Sequence, residues 1–149
     1  MKQIIKSWFQ IKVVQTSEQD LDHALKIATA TLLVEVMRAD FVVQQAEQQR
    51  LRDLLETQFQ LTAAELDAII SEANDRADQM VSLQHITRLM NEHYDHTMKL
   101  RVVEMMWSLI FADGEKDHYE EHLIRQVAEL LYLSHAEFIQ ARHRAEGES

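Results

Sequence analysis

With 149 residues, 46 % of them apolar, and a formal charge of −10, the chain is long enough for one packed domain and too apolar for disorder. The acidic balance argues against a nucleic-acid ligand, whose phosphates need a basic face, and the lack of cysteine excludes disulfides, thiolate zinc sites and cysteine nucleophiles. Two glycines and no proline disfavour β-rich and α/β folds, which use both residues at their turns.

In chain order, Met1–Gln15 is amphipathic and basic, with Lys2, Lys6 and Lys12 among Ile4, Ile5, Trp8, Phe9 and Ile11. It lacks the long apolar stretch and small-residue cleavage site of an export signal. The hydroxyls Thr16 and Ser17, followed by Glu18 and Asp20, read as a helix start. That helix runs to about Arg38, and its apolar stripe (Leu25, Ala28, Leu32, Val36) is widened by Ile27, Val34 and Met37, as burial on more than one side requires. A break at Ala39–Val43 precedes a helix from about Gln44 that carries Leu51, Leu54 and Leu55. Thr62-Ala63-Ala64-Glu65 is a capping box and opens a helix ending near Ala73, with the polar stretch Asn74–Gln79 as a waist. Ser82 and Asp95 cap two further helices, the second carrying Leu100, Val103, Trp107 and Ile110. After a break at Asp113-Gly114, Leu123, Ile124, Val127, Leu130 and Leu131 mark another helix, and Ser134-His135-Ala136-Glu137 is a second capping box that starts the last. No run free of charged residues reaches the roughly 18 residues of a membrane span. The expectation is an all-α fold of seven to eight helices: an amphipathic helix over 1–16, a helical domain over 17–145 and a flexible tail over 146–149.

The chain also repeats itself. Leu33–Leu66 aligns with Met106–Phe138, pairing Ala39 with Ala112, Asp40 with Asp113, Glu47 with Glu120, Leu51 with Ile124, Thr62 with Ser134 and Glu65 with Glu137. Non-periodic features match as well as periodic ones, which amphipathic composition alone does not produce. Two such helical repeats are expected to pack around a pseudo-twofold axis, each covering the apolar face of the other, with Leu32, Val36, Leu51, Leu54, Val103, Trp107, Ile124 and Val127 in the core.

Three segments carry a family resemblance: Leu33-Val34-Glu35-Val36-Met37-Arg38-Ala39-Asp40, Ile86-Thr87-Arg88-Leu89-Met90-Asn91-Glu92-His93, and Ala112-Asp113-Gly114-Glu115 continued by Glu120-Glu121-His122-Leu123-Ile124-Arg125. Over about residues 20–142 the chain resembles the TerB-like family, named for a tellurite-resistance protein. The resemblance implies an all-helical, pseudo-symmetric fold with an acidic loop in each half, and a scaffold or interaction role in bacterial stress systems. It brings no activity with it. The first half departs from the family pattern: Asp40-Phe41-Val42-Val43-Gln44 stands where Asp-Gly and further acids are usual, leaving only Asp40 and Glu47 as oxygen donors.

The second acidic loop is the best metal candidate. Asp113, Glu115, Asp117 and Glu120 flank Gly114, and carboxylates on such a loop can converge on a hard divalent cation. A structural reading competes, because Asp117 with Glu120 is itself a capping box and Asp113 can hold the amides of the turn. His118 and His122 have a metal-gripping spacing, but Tyr119 replaces the glutamate of the zinc-protease motif. With eight histidines in the chain, that spacing is read as coincidence. His93-Tyr94-Asp95-His96 reads as a turn between helices. Glu35, in an apolar run, is expected to face Arg38 or the edge of the molecule rather than to act as a base. No set of acid, base and nucleophile emerges, so no enzyme, no bound cofactor and no nucleic-acid partner is expected. The expected role is a cytoplasmic interaction module with a protein partner, tuned by a divalent cation at the second loop. Residues 1–16 have two readings: a covering helix docked on the domain, which is favoured, or a helix lying on the bilayer with Trp8 and Phe9 inserted, which makes the alternative role a peripheral membrane-surface adaptor.

Overall fold

Side-chain caps set four of the helix starts, each at the residue where the sequence supplies a short oxygen-bearing side chain. Glu65 N–H donates to Thr62 Oγ1 at 3.2 Å and Thr62 N–H to Glu65 Oε1 at 3.0 Å. Ser134 and Glu137 make the same reciprocal pair at 2.9 and 3.1 Å. Ser82 Oγ accepts from Gln84 N–H and Asp95 Oδ1 from Met98 N–H. Each cap satisfies an amide that the first helical turn leaves without a partner.

The computed structural model describes residues 18–39, 45–112 and 118–148. Among them it contains seven α-helices and no strand: α1 (Glu18–Arg38), α2 (Gln45–Phe59), α3 (Ala63–Asp78), α4 (Leu83–His93), α5 (His96–Phe111), α6 (His118–Leu130) and α7 (His135–Glu148). The all-α class is therefore as expected. The expected N-terminal helix and the two loop breaks at 40–43 and 113–114 lie outside the described residues.

Helices α1 and α5 form the centre. α1 packs on α3 and α5, and also touches α2, α4 and α6; α5 packs on α7 and also meets α2 and α6. This explains the wide apolar stripe of α1, whose residues Ile27, Ala30, Leu32, Leu33, Val34 and Val36 are all buried. On α5, the run Val102–Ile110 is likewise buried throughout. The eight core residues expected from the repeat are all in the interior. Trp107 is fully buried, stacked on Phe111 at 5.9 Å and edge-on to Phe138 at 5.3 Å, with Arg142 over its ring.

Two features differ from the sequence expectation. α3 does not stop near Ala73 but continues to Asp78, because tertiary contacts hold its last turn. Arg38 of α1 bonds Asp78 Oδ1 at 2.7 Å and Asn74 Oδ1 at 2.8 Å, and Ala77 is buried in the core. The stretch expected to be a waist is a helix end. α7, in turn, runs through Glu148 into the stretch assigned to the tail.

Three of the described helices stop without glycine. Gln60, Met80 and Tyr132 adopt positive φ of 54°, 55° and 61° after α2, α3 and α6. In each case the next amide reaches back six residues inclusive: Leu61 to Glu56 O, Val81 to Arg76 O and Leu133 to Ala128 O. This is the Schellman closure, normally built on glycine because other residues are strained there. The carbonyl end of α6 is further satisfied by Asn91 Nδ2 on Leu130 O and Lys99 Nζ on Leu131 O.

Candidate functional site

Of the six candidate metal ligands, Glu120 and Glu47 lie among the described residues. Asp113, Glu115 and Asp117 of the second loop, and Asp40 of the first, lie outside them, so the expected convergence falls beyond what is described. The two described carboxylates share an environment. Glu47 sits in the first turn of α2 and is 1 % exposed; Glu120 sits in the first turn of α6 and is 2 % exposed. A carboxylate in that position is favoured by the positive end of the helix dipole, yet burying it is costly unless charge or hydrogen bonds compensate. Both acids were singled out as a matched pair in sequence; their burial was not. A solvated acidic loop would leave them in water.

Among the described residues, no group of three or more His, Cys, Asp or Glu side chains is arranged to hold a metal ion. His122 is exposed on α6. The turn His93–His96 is what the sequence suggested, with Tyr94 ending α4 and Asp95 capping α5. The Tyr94 hydroxyl fixes that turn onto α1 through Thr29 at 2.9 Å.

Glu35 is half-buried and bonded to no described side chain; burial pushes its carboxyl above the ordinary value of 4.5, and the Arg38 charge partly offsets this. The opposite holds for Glu65 and Glu137, whose carboxyls are held low first by the Thr62 and Ser134 backbone amides. Glu137 also pairs with His96, joining the start of α5 to the start of α7.

Two polar ties crossing the core escaped the sequence reading. Glu104 lies in the buried run of α5 and takes Arg101 at 3.1 Å and Arg144 of α7 at 3.2 Å, while Arg101 Nε donates to Gln58 of α2 at 3.0 Å. Arg50 of α2 donates to the buried Ser108 hydroxyl of α5 at 2.8 Å. An acid in the middle of Val102–Ile110 was the one available signal for the first tie. The second joins residues far apart in the chain, and no local pattern announces it.

Among the described residues, two depressions bear on function. One, of about 440 Å3, is open and lies between α4 and the end of α6, with Thr87, Arg88, Asn91 and Tyr132 in its wall. The other, of about 190 Å3, is more apolar and lies between α1, the end of α3 and α4. No described helix is long and apolar enough to cross a membrane.

The family model for tellurite resistance protein TerB matches residues 26–143, a span that starts inside α1 and ends inside α7. No curated relative and no solved structure matches the chain. A match over most of the chain, on a fold of helices alone among the described residues, settles the family: this chain belongs to the TerB family, the tellurite resistance protein TerB group.

Proposed function

We propose that this TerB-family chain is a non-enzymatic protein-interaction module of a bacterial stress system, working in the cytoplasm and tuned by a divalent cation at its second acidic loop. The observation that carries the reading is the burial of Glu120 in the first turn of α6, next in the chain to Asp113, Glu115 and Asp117. Carboxylate oxygens alone are a hard donor set, suited to calcium, magnesium or manganese rather than to zinc. Asp113, Glu115, Asp117 and Glu120 would hold the ion. It would supply positive charge that lets neighbouring acids stay ionised together. The first half, with Asp40 and Glu47 alone, is the weaker site.

The same reading treats the domain as two repeats about a pseudo-twofold axis. Several matched features support it. α1, α2 and α3 end or begin where α5, α6 and α7 do under the sequence alignment. Both third helices start with a capping box, at Thr62 and at Ser134. Gln60 and Tyr132 take the same left-handed conformation, and Glu47 and Glu120 are buried alike.

Titration calorimetry with calcium, magnesium, manganese and zinc tests the site. The expected result is saturable binding of a hard cation by the wild type and none by Asp113→Asn with Glu120→Gln. Absence of binding by the wild type contradicts the cation reading and leaves the loop as helix capping. The alternative role, a peripheral membrane adaptor, draws on the basic amphipathic sequence of residues 1–16; sedimentation with anionic vesicles, lost in Trp8→Glu, would support it instead.

A further inference from the structure

We infer that the apolar groove between α1, the end of α3 and α4 is a docking site for an acidic amphipathic helix of a partner protein. One large apolar side chain of that helix enters the groove, and a carboxylate about one turn away meets Arg76 and His85. The inference names the surface used under the interaction-module reading, on which it rests, and is independent of the cation.

The groove follows one face of α1, where Ala24, Ala28 and Thr31 stand at helical spacing over about 10 Å of rise. Its other wall is made by Val81, Ile86 and Leu89. The small residues of α1 let a visiting helix come close. The Thr31 hydroxyl is bonded within α1 to Ile27 O at 2.7 Å, so it offers the groove no free donor. The volume of about 190 Å3 is below the roughly 300–1,000 Å3 usual for small-molecule pockets. It suits a single side chain of a larger partner, as in helix-in-groove recognition, where anchors recur three and four residues apart.

Met80 points the same way. It is next in the chain to Val81, is 86 % exposed and holds a φ of 55°. Glycine would hold that left-handed position at less cost, and a side chain so exposed packs little within the fold. A flexible thioether beside an apolar groove suits adaptable contact with a partner. Charge then selects the partner. The chain has 25 acidic residues against 15 lysines and arginines, yet among the described residues the only ionisable side chains lining the groove are Arg76 and His85. Arg76 touches Glu72 at 3.4 Å through one guanidinium nitrogen, and Glu72 is shared with His23. An exposed pair one turn apart is weak, so Arg76 is able to turn to an incoming carboxylate. The His85 ring is exposed and bonds no described residue, which leaves its N–H donor open to the same group. A basic segment would meet like charge here; an acidic one does not.

Helix-forming peptides with an apolar stripe and randomised flanks, displayed on phage, are selected on the full chain. The enriched sequences are then synthesised and their binding read by fluorescence anisotropy. Enrichment of aspartate or glutamate about one turn from a large apolar residue is expected. Met80→Gly and Leu89→Glu should each weaken binding by about tenfold or more. Glycine suits the backbone at Met80, so the melting temperature of Met80→Gly should not fall, and its lost affinity is not lost folding. Should Leu89→Glu unfold the chain, Ala24→Glu at a part-exposed position takes its place. Arg76→Glu with His85→Glu should abolish binding, and a peptide with lysine in place of its acids should restore it. Peptides that bind all these variants undiminished overturn the groove and leave the interaction-module reading standing; no enrichment on the wild type contradicts both. Self-association of the chain that is lost in Met80→Gly (a second copy), or binding to anionic vesicles that is lost in it (a lipid surface), also overturns the proposal.

Discussion

Glu35 shows how far one residue's environment can be read from its neighbours. Its place in an apolar run gave the expectation that it faces Arg38 or the edge of the molecule; in the structure, partial burial raises its pKa and the Arg38 charge offsets part of that. A carboxyl raised in the folded state binds its proton more tightly there than in the unfolded chain. Stability therefore falls as pH rises from the unfolded value through the raised folded one, and at neutral pH the ionised form is a burden. Glu35→Gln should accordingly raise the melting temperature at pH 7, with the gain shrinking to nothing once the pH is below 4.5. A variant less stable than wild type at pH 7 would mean that Glu35 makes a favourable contact instead. Glu104 was harder to foresee. The sequence shows an acid inside a buried run, but only the fold brings Arg144 to it across α5 and α7. Glu104→Gln keeps the shape and removes the charge from two arginine contacts, so a loss of about 1–3 kcal/mol is expected in denaturant unfolding; an unchanged midpoint would assign the tie no net value.

At the scale of elements, what was legible in the sequence was local. Thr62-to-Glu65 and Ser134-to-Glu137 closed as capping boxes because both partners lie within one turn and no distant residue competes. The end of α3 was misplaced for the converse reason. Asn74, Asp75, Arg76 and Asp78 resemble a polar linker, yet Arg38 and the burial of Ala77 carry the helix on. Helix stops were equally hidden, since the usual glycine is missing from Gln60, Met80 and Tyr132. That absence has an energetic consequence. A side chain in the left-handed region costs about 1–2 kcal/mol, and glycine's larger unfolded-state entropy offsets about 0.5–1 kcal/mol of any relief. Tyr132→Gly, at a position 80 % exposed, should then stabilise the protein by up to about 1.5 kcal/mol in chemical denaturation. A loss of stability would show that the tyrosine ring packs to an extent its exposure does not suggest.

Across the whole molecule, the fold class and family followed from the sequence because both rest on many residues at once: a helical period, an apolar content fit for one core, and a match from residue 26 to 143. The site was less legible. Its chemistry depends on where a few carboxylates point, and a sequence supplies their number without their direction. Glu47 and Glu120 illustrate this, since glutamate is seldom fully buried, and here both are interior.

A cation held by Asp113, Glu115, Asp117 and Glu120 would change stability in the opposite sense to bare helix capping. Without an ion, convergent carboxylates repel one another and raise a pKa; with one, the folded state gains by mass action about 2.7 kcal/mol at a hundred times the dissociation constant. Thermal unfolding in calcium, magnesium or manganese against a chelator, for the wild type and for Asp113→Asn with Glu120→Gln, reads that sign directly. The expected result is a rise in melting temperature specific to one of these cations and abolished in the double variant. No shift with any cation in the wild type, together with a loss of about 0.5–2 kcal/mol on Asp117→Ala as for a missing helix cap, would contradict it.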